Sequence, residues 1–295
     1  MPANQPITSD QKREIGSLGF EAIEEVLDEL NLDSAAAQRV LKEGGGEIAV
    51  TVREAVFPVI RRLALSNEFA DEEVASAVGY FSGYKKPNGI RQQTNRLREL
   101  IKGVGFANEV LVKKPLPKFA EGFFAIPRWE TVAPTYGEAV QKVQDLLKKE
   151  RNGQFSNYHE EQLGPDQLRQ HARSAAFWEK LGEAQKGYDI LVVPAQFGLC
   201  HRGRSVRRAR VIFTRNEFGL GAFATGIMLL THANRLQHYA DLWIDCAGDE
   251  FAPEAGGQFV AAPIFYFLGG EVGFSAHEID NPDDDYGSAS AFLLK

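Results

Sequence analysis

Only two cysteines, Cys200 and Cys246, occur in 295 residues. That is too few for a disulfide framework or a thiolate zinc site, and it fits a reducing compartment. Also missing is any run of about 18 apolar residues, so no membrane-spanning helix is expected. The opening stretch MPANQPITSDQKRE lacks the apolar segment of a secretory signal, and the expectation is a cytoplasmic protein with no membrane partner. Basic residues are the minority: 33 Lys and Arg against 40 Asp and Glu leave a net charge of −7. That balance argues against a broad basic footprint for nucleic acid. Neither a GxxxxGKS/T loop nor a GxGxxG following a strand is present, and there is no internal repeat. With 44% hydrophobic and 25% charged residues, the chain reads as an ordinary globular protein of one large domain or two smaller ones.

Periodicity predicts an α+β fold: a helical N-terminal part, then a mixed α/β domain ending in an antiparallel β-meander. Ile15, Leu18, Ile23, Val26, Leu27 and Leu30 recur at helical spacing over Ser9 to Leu30, with Ser9 or Asp10 as N-cap. A second helix over Ser34 to Lys42 is expected to stop at Gly44-Gly45-Gly46. Short helices follow over Val56 to Leu65, Glu72 to Phe81 and Gln92 to Lys102. The stretch 106–122, with Pro115 and Pro117 in KKPLPK, reads as a linker because proline blocks helix continuation. It separates a helical region, 1–105, from an α+β domain, 123–295.

Within that domain FFAIPRW (123–129) predicts a strand, Tyr136 to Lys149 a helix with Val140, Val143, Leu146 and Leu147 on one face, and Pro165 the start of a helix reaching Leu181. DILVVPAQ (189–196) has the near-continuous apolar character of a strand covered on both sides. Gly221 to Leu236 reads as a buried helix. The strands DLWIDC, APIFYFLGG and EVGFSAHEI close the chain, the last two joined by a Gly269-Gly270 turn.

Charge is unevenly placed. From His201 to Arg215 the sequence HRGRSVRRARVIFTR contains Arg202, Arg204, Arg207, Arg208, Arg210 and Arg215 and no carboxylate. Ser205 can cap a helix starting at Val206, and Gly203 lets a backbone approach a ligand closely. Arg202, Gly203, Arg204, Ser205, Arg207 and Arg208 are therefore candidate ligands for a phosphate or carboxylate. The competing reading is internal pairing with acidic strands.

DLWIDCAGDEF supplies the opposite charge. Alternation puts Asp245 on the same strand face as Trp243, and Gly248 allows a turn that brings Asp249 and Glu250 nearby. Asp245, Asp249 and Glu250, with His201, form a candidate acid/base group, and the carboxylates leave room for Mg²⁺. A structural Asp–Arg network competes with that reading. Cys200-His201 looks like a nucleophile beside a base, but neighbours in a strand point apart, so Cys200 is expected to be a buried structural thiol. His232 and His238 fit a helix end, Asp283-Asp284-Asp285 a solvated turn, and Trp129, Tyr158 and Trp178 core or half-buried anchors.

The segments FFAIPRWETVAPTYGEA, LVVPAQFGLCHRGRSVRRAR, NEFGLGAFATGIMLLTH, DLWIDCAGDEF and DYGSASAFL resemble those of an uncharacterised bacterial protein family. The resemblance implies no activity, cofactor or site residue. On the residues themselves, the expected function is a soluble enzyme or ligand-binding protein. It would recognise a phosphate-bearing small molecule or nucleotide through the arginine segment facing the carboxylates, with hydrolysis as the chemistry. The alternative is a non-catalytic interaction protein that contacts nucleic acid locally or binds an acidic protein partner.

Overall fold

The computed structural model describes residues 8–64 and 68–294, and the side chains of 57, 58 and 61–64 fall outside that description. Residues 1–7, read above for a signal segment, and Leu65 lie outside the described residues. The chain divides into two compact units, Met1–Leu65 and Ser66–Lys295. No helix among the described residues is long and apolar enough to cross a membrane.

The first unit is helical. Helix α1 spans Ser9–Leu30 as expected, but its N-cap is Thr8 rather than Ser9 or Asp10, because Thr8 and Gln11 form a reciprocal capping box. Of its periodic apolar residues, Ile15, Leu18, Val26, Leu27 and Leu30 are exposed. Helix α2 (Ser34–Arg39) does not stop at the glycines. It passes through a π-helical turn, Val40–Gly44, into α3 (Gly45–Ala64). Glycine lowers helix propensity by about 1 kcal/mol but leaves the backbone hydrogen-bonding groups intact.

In the second unit the helix expected over Glu72 to Phe81 is absent. That stretch is irregular, and its Glu73 and Gly79 form isolated β-bridges to Arg204 and Asp241. Helix α4 (Ile90–Leu100) follows. The stretch expected to be a linker, 106–122, is instead part of this unit: Ala107 bridges Ile190 and Glu121 N–H donates to Ala195 at 2.8 Å. A short 3-10 helix, Glu109–Lys113, capped by Asn108, ends just before Pro115.

The fold is α+β. Strand β1 (Gly122–Pro127), helix α5 (Tyr136–Glu150) and the short strand β2 (Phe155–Asn157) come next. Pro165 starts no helix. Residues Leu168–Gln170 form strand β3, pulled into pairing with a later strand, and α6 runs from Ala172 to Ala184. Strand β4 (Ile190–Gln196) is buried at every residue. After it come α7 (Val206–Ile212), β5 (Glu217–Gly219) and α8 (Ala222–Thr231), all ten of whose residues are buried. The chain closes with β6 (Trp243–Asp245), β7 (Asp249–Phe251), the hairpin β8 (Ala261–Leu268) and β9 (Glu271–Glu278), β10 (Tyr286–Ser288) and β11 (Ser290–Phe292).

Two sheets result. One has the order β1-β4-β11-β5 and is antiparallel throughout. The other runs β10-β6-β8-β7-β3, with β9 joining β8 to β2. β4 is hydrogen-bonded to β1 along one edge and β11 along the other, and all its side chains are buried, so its apolar run shows no polar alternation. Gly226 explains how α8 fits the core: a Cβ there would come within 2.5 Å of Val143 on α5 and 3.6 Å of Phe265 on β8.

Candidate functional site

Ser205 caps α7 by accepting from Arg208 N–H at 3.1 Å, as its position suggested. The arginines around it, however, already have partners. Arg207 makes a two-pronged pair with Glu72 from Nε at 2.8 and 2.9 Å, and also lies over the Phe69 ring. Ser205 Oγ donates to the same carboxylate at 2.6 Å. Arg208 Nε donates to Glu73 at 2.5 Å and its Nη1 to Glu68 O at 2.8 Å. Arg204 lies 3.0 Å from Glu73 and donates to Cys200 O at 3.0 Å, and Arg202 donates to Val78 O at 2.8 Å. Arg207 holds Glu72 below the usual carboxylate range, and at Glu73 the two arginines outweigh burial, which alone would raise it.

Gly203 does permit a close approach, but of the protein's own backbone. With φ at +73°, a Cβ there would stand 2.3 Å from Val74 O, and its N–H and C=O bond Tyr286 and Val74. The six candidate anion-binding residues thus form a clamp on residues 68–78. Charge complementarity within the chain took the place of a ligand.

Asp245, Asp249 and Glu250 all act on the buried Arg210 charge, but among the described residues their oxygens do not gather into one ligand group. Asp245, fully buried, accepts from His277 Nε2 at 2.7 Å. This contact raises the His277 pKa against the effect of burial. Glu250 pairs with Arg169 at 2.8 Å. Asp249, also fully buried, accepts from Tyr136 Oη at 2.8 Å on each oxygen and from Ala222 N–H at 2.7 Å at the start of α8. Burial pushes its pKa up to about 7. Arg210 spans Ala247 O and Asp249 O, and burial lowers its pKa to about 10. With each carboxylate turned to a different protein partner, the expected Mg²⁺ arrangement does not assemble.

His201 lies apart from all three. Its Nε2 is 2.7 Å from Glu217, which also accepts from Ser290 Oγ and from Thr214. Burial would lower the His201 pKa, but Cys200 and Glu217 raise it to about 9, and His201 in turn holds Glu217 near 2. Cys246 is the buried thiol, its pKa pushed far up by desolvation, whereas Cys200 is half-buried. His232 is a satisfied core residue: its Nε2 accepts from Asn88 N–H, and burial lowers it to about 4.

The concave site lies elsewhere. A cavity of about 260 Å³ opens between the end of β1, the start of α5, α6 and the start of α8. Its floor is Ile126, Leu191, Phe223 and Ala224, all buried, and Trp129, Tyr136 and Trp178 stand around it half-buried. Trp129 and Tyr136 meet edge to face at 6.0 Å. Three acids line the opening: Glu130, Glu179 and Glu183. No described residue forms an ion pair with any of them. The single lining cation, Arg128, is turned away from that role. It donates to Tyr188 O at 2.9 Å and Gly182 O at 2.6 Å, at the carbonyl end of α6, where a cation is favoured. Gly182 leaves room for this contact, since a Cβ there would stand 2.4 Å from the Arg128 guanidinium.

Asp249 is the one expected site residue that touches this cavity, and it does so through Tyr136. Sequence reasoning missed the rest, apart from placing Trp129 and Trp178 as half-buried anchors. The available signal was Trp178, Glu179 and Glu183 on neighbouring turns of one helix. Comparison with protein-family models, with curated proteins and with solved structures finds no match to this chain.

Proposed function

We propose that the chain binds a small organic cation with a flat apolar body in the cavity beside Tyr136. The carrying observation is an aromatic cavity lined by three carboxylates that have no cation to answer them, while its one arginine is spent on backbone carbonyls. Trp129, Tyr136 and Trp178 offer ring faces to an ammonium group and apolar walls to its body. The glutamates raise the local concentration of cations. Tyr136 directs its proton to Asp249, which leaves its oxygen to accept a hydrogen bond from the ligand. At about 260 Å³ the cavity lies just below the usual size of ligand pockets, which suits an arylalkylamine rather than a nucleotide. The phosphate preference expected from the arginine segment has no support at this cavity, where the net lining charge is negative.

A charge series tests the reading: tryptamine, indole and indole-3-acetate, titrated at low salt by calorimetry and by thermal shift. Tryptamine should bind best and indole-3-acetate worst, and Trp178→Ala should weaken tryptamine by about tenfold or more. Equal or tighter binding of the anion, or unchanged tryptamine binding by the variant, would sink the proposal.

A further inference from the structure

The first unit has an amphipathic pattern and no core of its own. Among its described side chains, those of residues 8–56, 59 and 60, none is buried. Helix α1 leaves Ile15, Leu18, Val26, Leu27 and Leu30 exposed on one face, and α3 leaves Ile48, Val56, Val59 and Ile60 exposed on one face of its own. Ile23 of α1 joins Ile48, Val52, Val56 and Ile60 of α3 in lining an open apolar groove. Helices draw most of their stability from covering such a face rather than from propensity. Within one copy of the unit that cover is missing.

Charge and area say what supplies it. Helix α1 holds seven acids against two bases, and Glu21, Glu24, Glu25, Asp28 and Glu29 follow one another with no base between them. The continuous helical stretch 34–64 holds five bases against three acids. Setting α1 of one copy on α1 of another would bring acid onto acid. Setting α1 on the stretch 34–64 of another copy brings opposite charges together, and a two-fold axis makes that contact twice. The nine exposed residues of the two faces offer roughly 750 Å² of apolar surface per copy, close to the ~800 Å² that each partner gives to a standard stable interface.

We propose that the first unit is a homodimerisation module. Two copies of the chain pack α1 and the stretch 34–64 about a two-fold axis into a four-helix bundle, apolar faces inward, with the acidic α1 of one copy along the basic stretch of the other. This surface is separate from the Tyr136 cavity, every lining residue of which belongs to the second unit.

Sedimentation equilibrium of the full chain at micromolar concentration tests the proposal. The expected mass is twice the 32.7 kDa of one chain. Leu27→Glu combined with Val59→Glu should halve that mass, and the far-UV helical signal should fall with it, because these helices depend on the partner for their cover. Arg53→Glu leaves both apolar faces intact and should weaken dimerisation several-fold at low salt, and less as salt rises. A monomeric wild-type chain overturns the proposal, and with it any occupant of the groove other than a foreign protein or a membrane. So does an assembly larger than two, or a dimer that the Leu27→Glu, Val59→Glu chain still forms. Unchanged affinity in Arg53→Glu overturns the pairing of acidic with basic helices.

Discussion

The arginines between residues 202 and 208 and the glutamates around the Tyr136 cavity are both clusters of one charge, and they differ in what answers them. Arg204, Arg207 and Arg208 meet Glu72 and Glu73, contributed by a stretch about 135 residues earlier. Glu130, Glu179 and Glu183 meet no cation among the described residues and line an opening to solvent. The first cluster is dense in sequence and paired within the chain. The second is scattered across 54 positions and is the one left open. Charge density along a chain marks where pairing is needed, whereas an unanswered charge beside a cavity marks where a partner from outside can be taken.

That contrast can be broken by experiment. The largest effect concerns Asp249, beneath the cavity. Its native pKa of about 7 lies above the ~3.9 of an ordinary aspartate, so the folded state favours the protonated form. The stability this provides is fully present below pH ~4 and lost as pH rises through 7. Asp249→Asn keeps an acceptor for Tyr136 and Ala222 but cannot ionise. The stability of wild type relative to this variant, followed by urea unfolding, should fall by about 3 kcal/mol from pH 4 to pH 7. A difference constant with pH would show that Asp249 is not held protonated.

Next in size is the clamp. Glu72→Ala leaves the buried Ser205 hydroxyl and the partly exposed Arg207 without their shared carboxylate and should cost about 1–2 kcal/mol in the same measurement. Glu183→Ala, at the cavity opening, should stay within about 0.5 kcal/mol. Equal losses would erase the distinction between the two clusters. Smaller again is the charge effect on binding. Glu179→Gln with Glu183→Gln should weaken tryptamine several-fold at low salt and progressively less as salt rises, because exposed charges are screened within about 10 Å at 0.1 M. Binding of indole should not change. A small effect is also expected at Glu250, whose partner Arg169 is half-exposed. Glu250→Ala should alter stability by less than about 1 kcal/mol and leave tryptamine affinity unchanged, which separates Glu250 from the Asp249–Tyr136 pair.

Much of the fold was legible where a single element carries its own signal. The apolar run of β4, the Gly269-Gly270 hairpin, the amphipathic face of α5 and the cap at Ser205 all follow local rules, and each appears within one or two residues of its expected limits. Legibility failed where the deciding contact is distant. Glu72 to Phe81 has helical spacing, yet its glutamates are held by α7 and its backbone by Arg204 and Asp241. Residues 168–170 follow Pro165 as a helix would, but pairing of Leu168 with Phe251 makes them a strand. At the site, the local argument that separated Cys200 from His201 assumed a strand where the chain makes a 3-10 turn.

The sequence by itself determined the α+β class, most element positions and the likelihood that its arginine segment would seek an opposite charge. Periodicity and capping act over a few residues, and every residue needed to read them is adjacent in the chain. Only the tertiary structure decided which charge answers which. It brought Glu72 and Glu73 to the arginines, Tyr136 to Asp249 and Glu217 to His201, and it left three glutamates facing an aromatic cavity. Those choices depend on close approach between segments far apart in sequence, and the energy of an ion pair changes with burial and distance in a way that composition does not record.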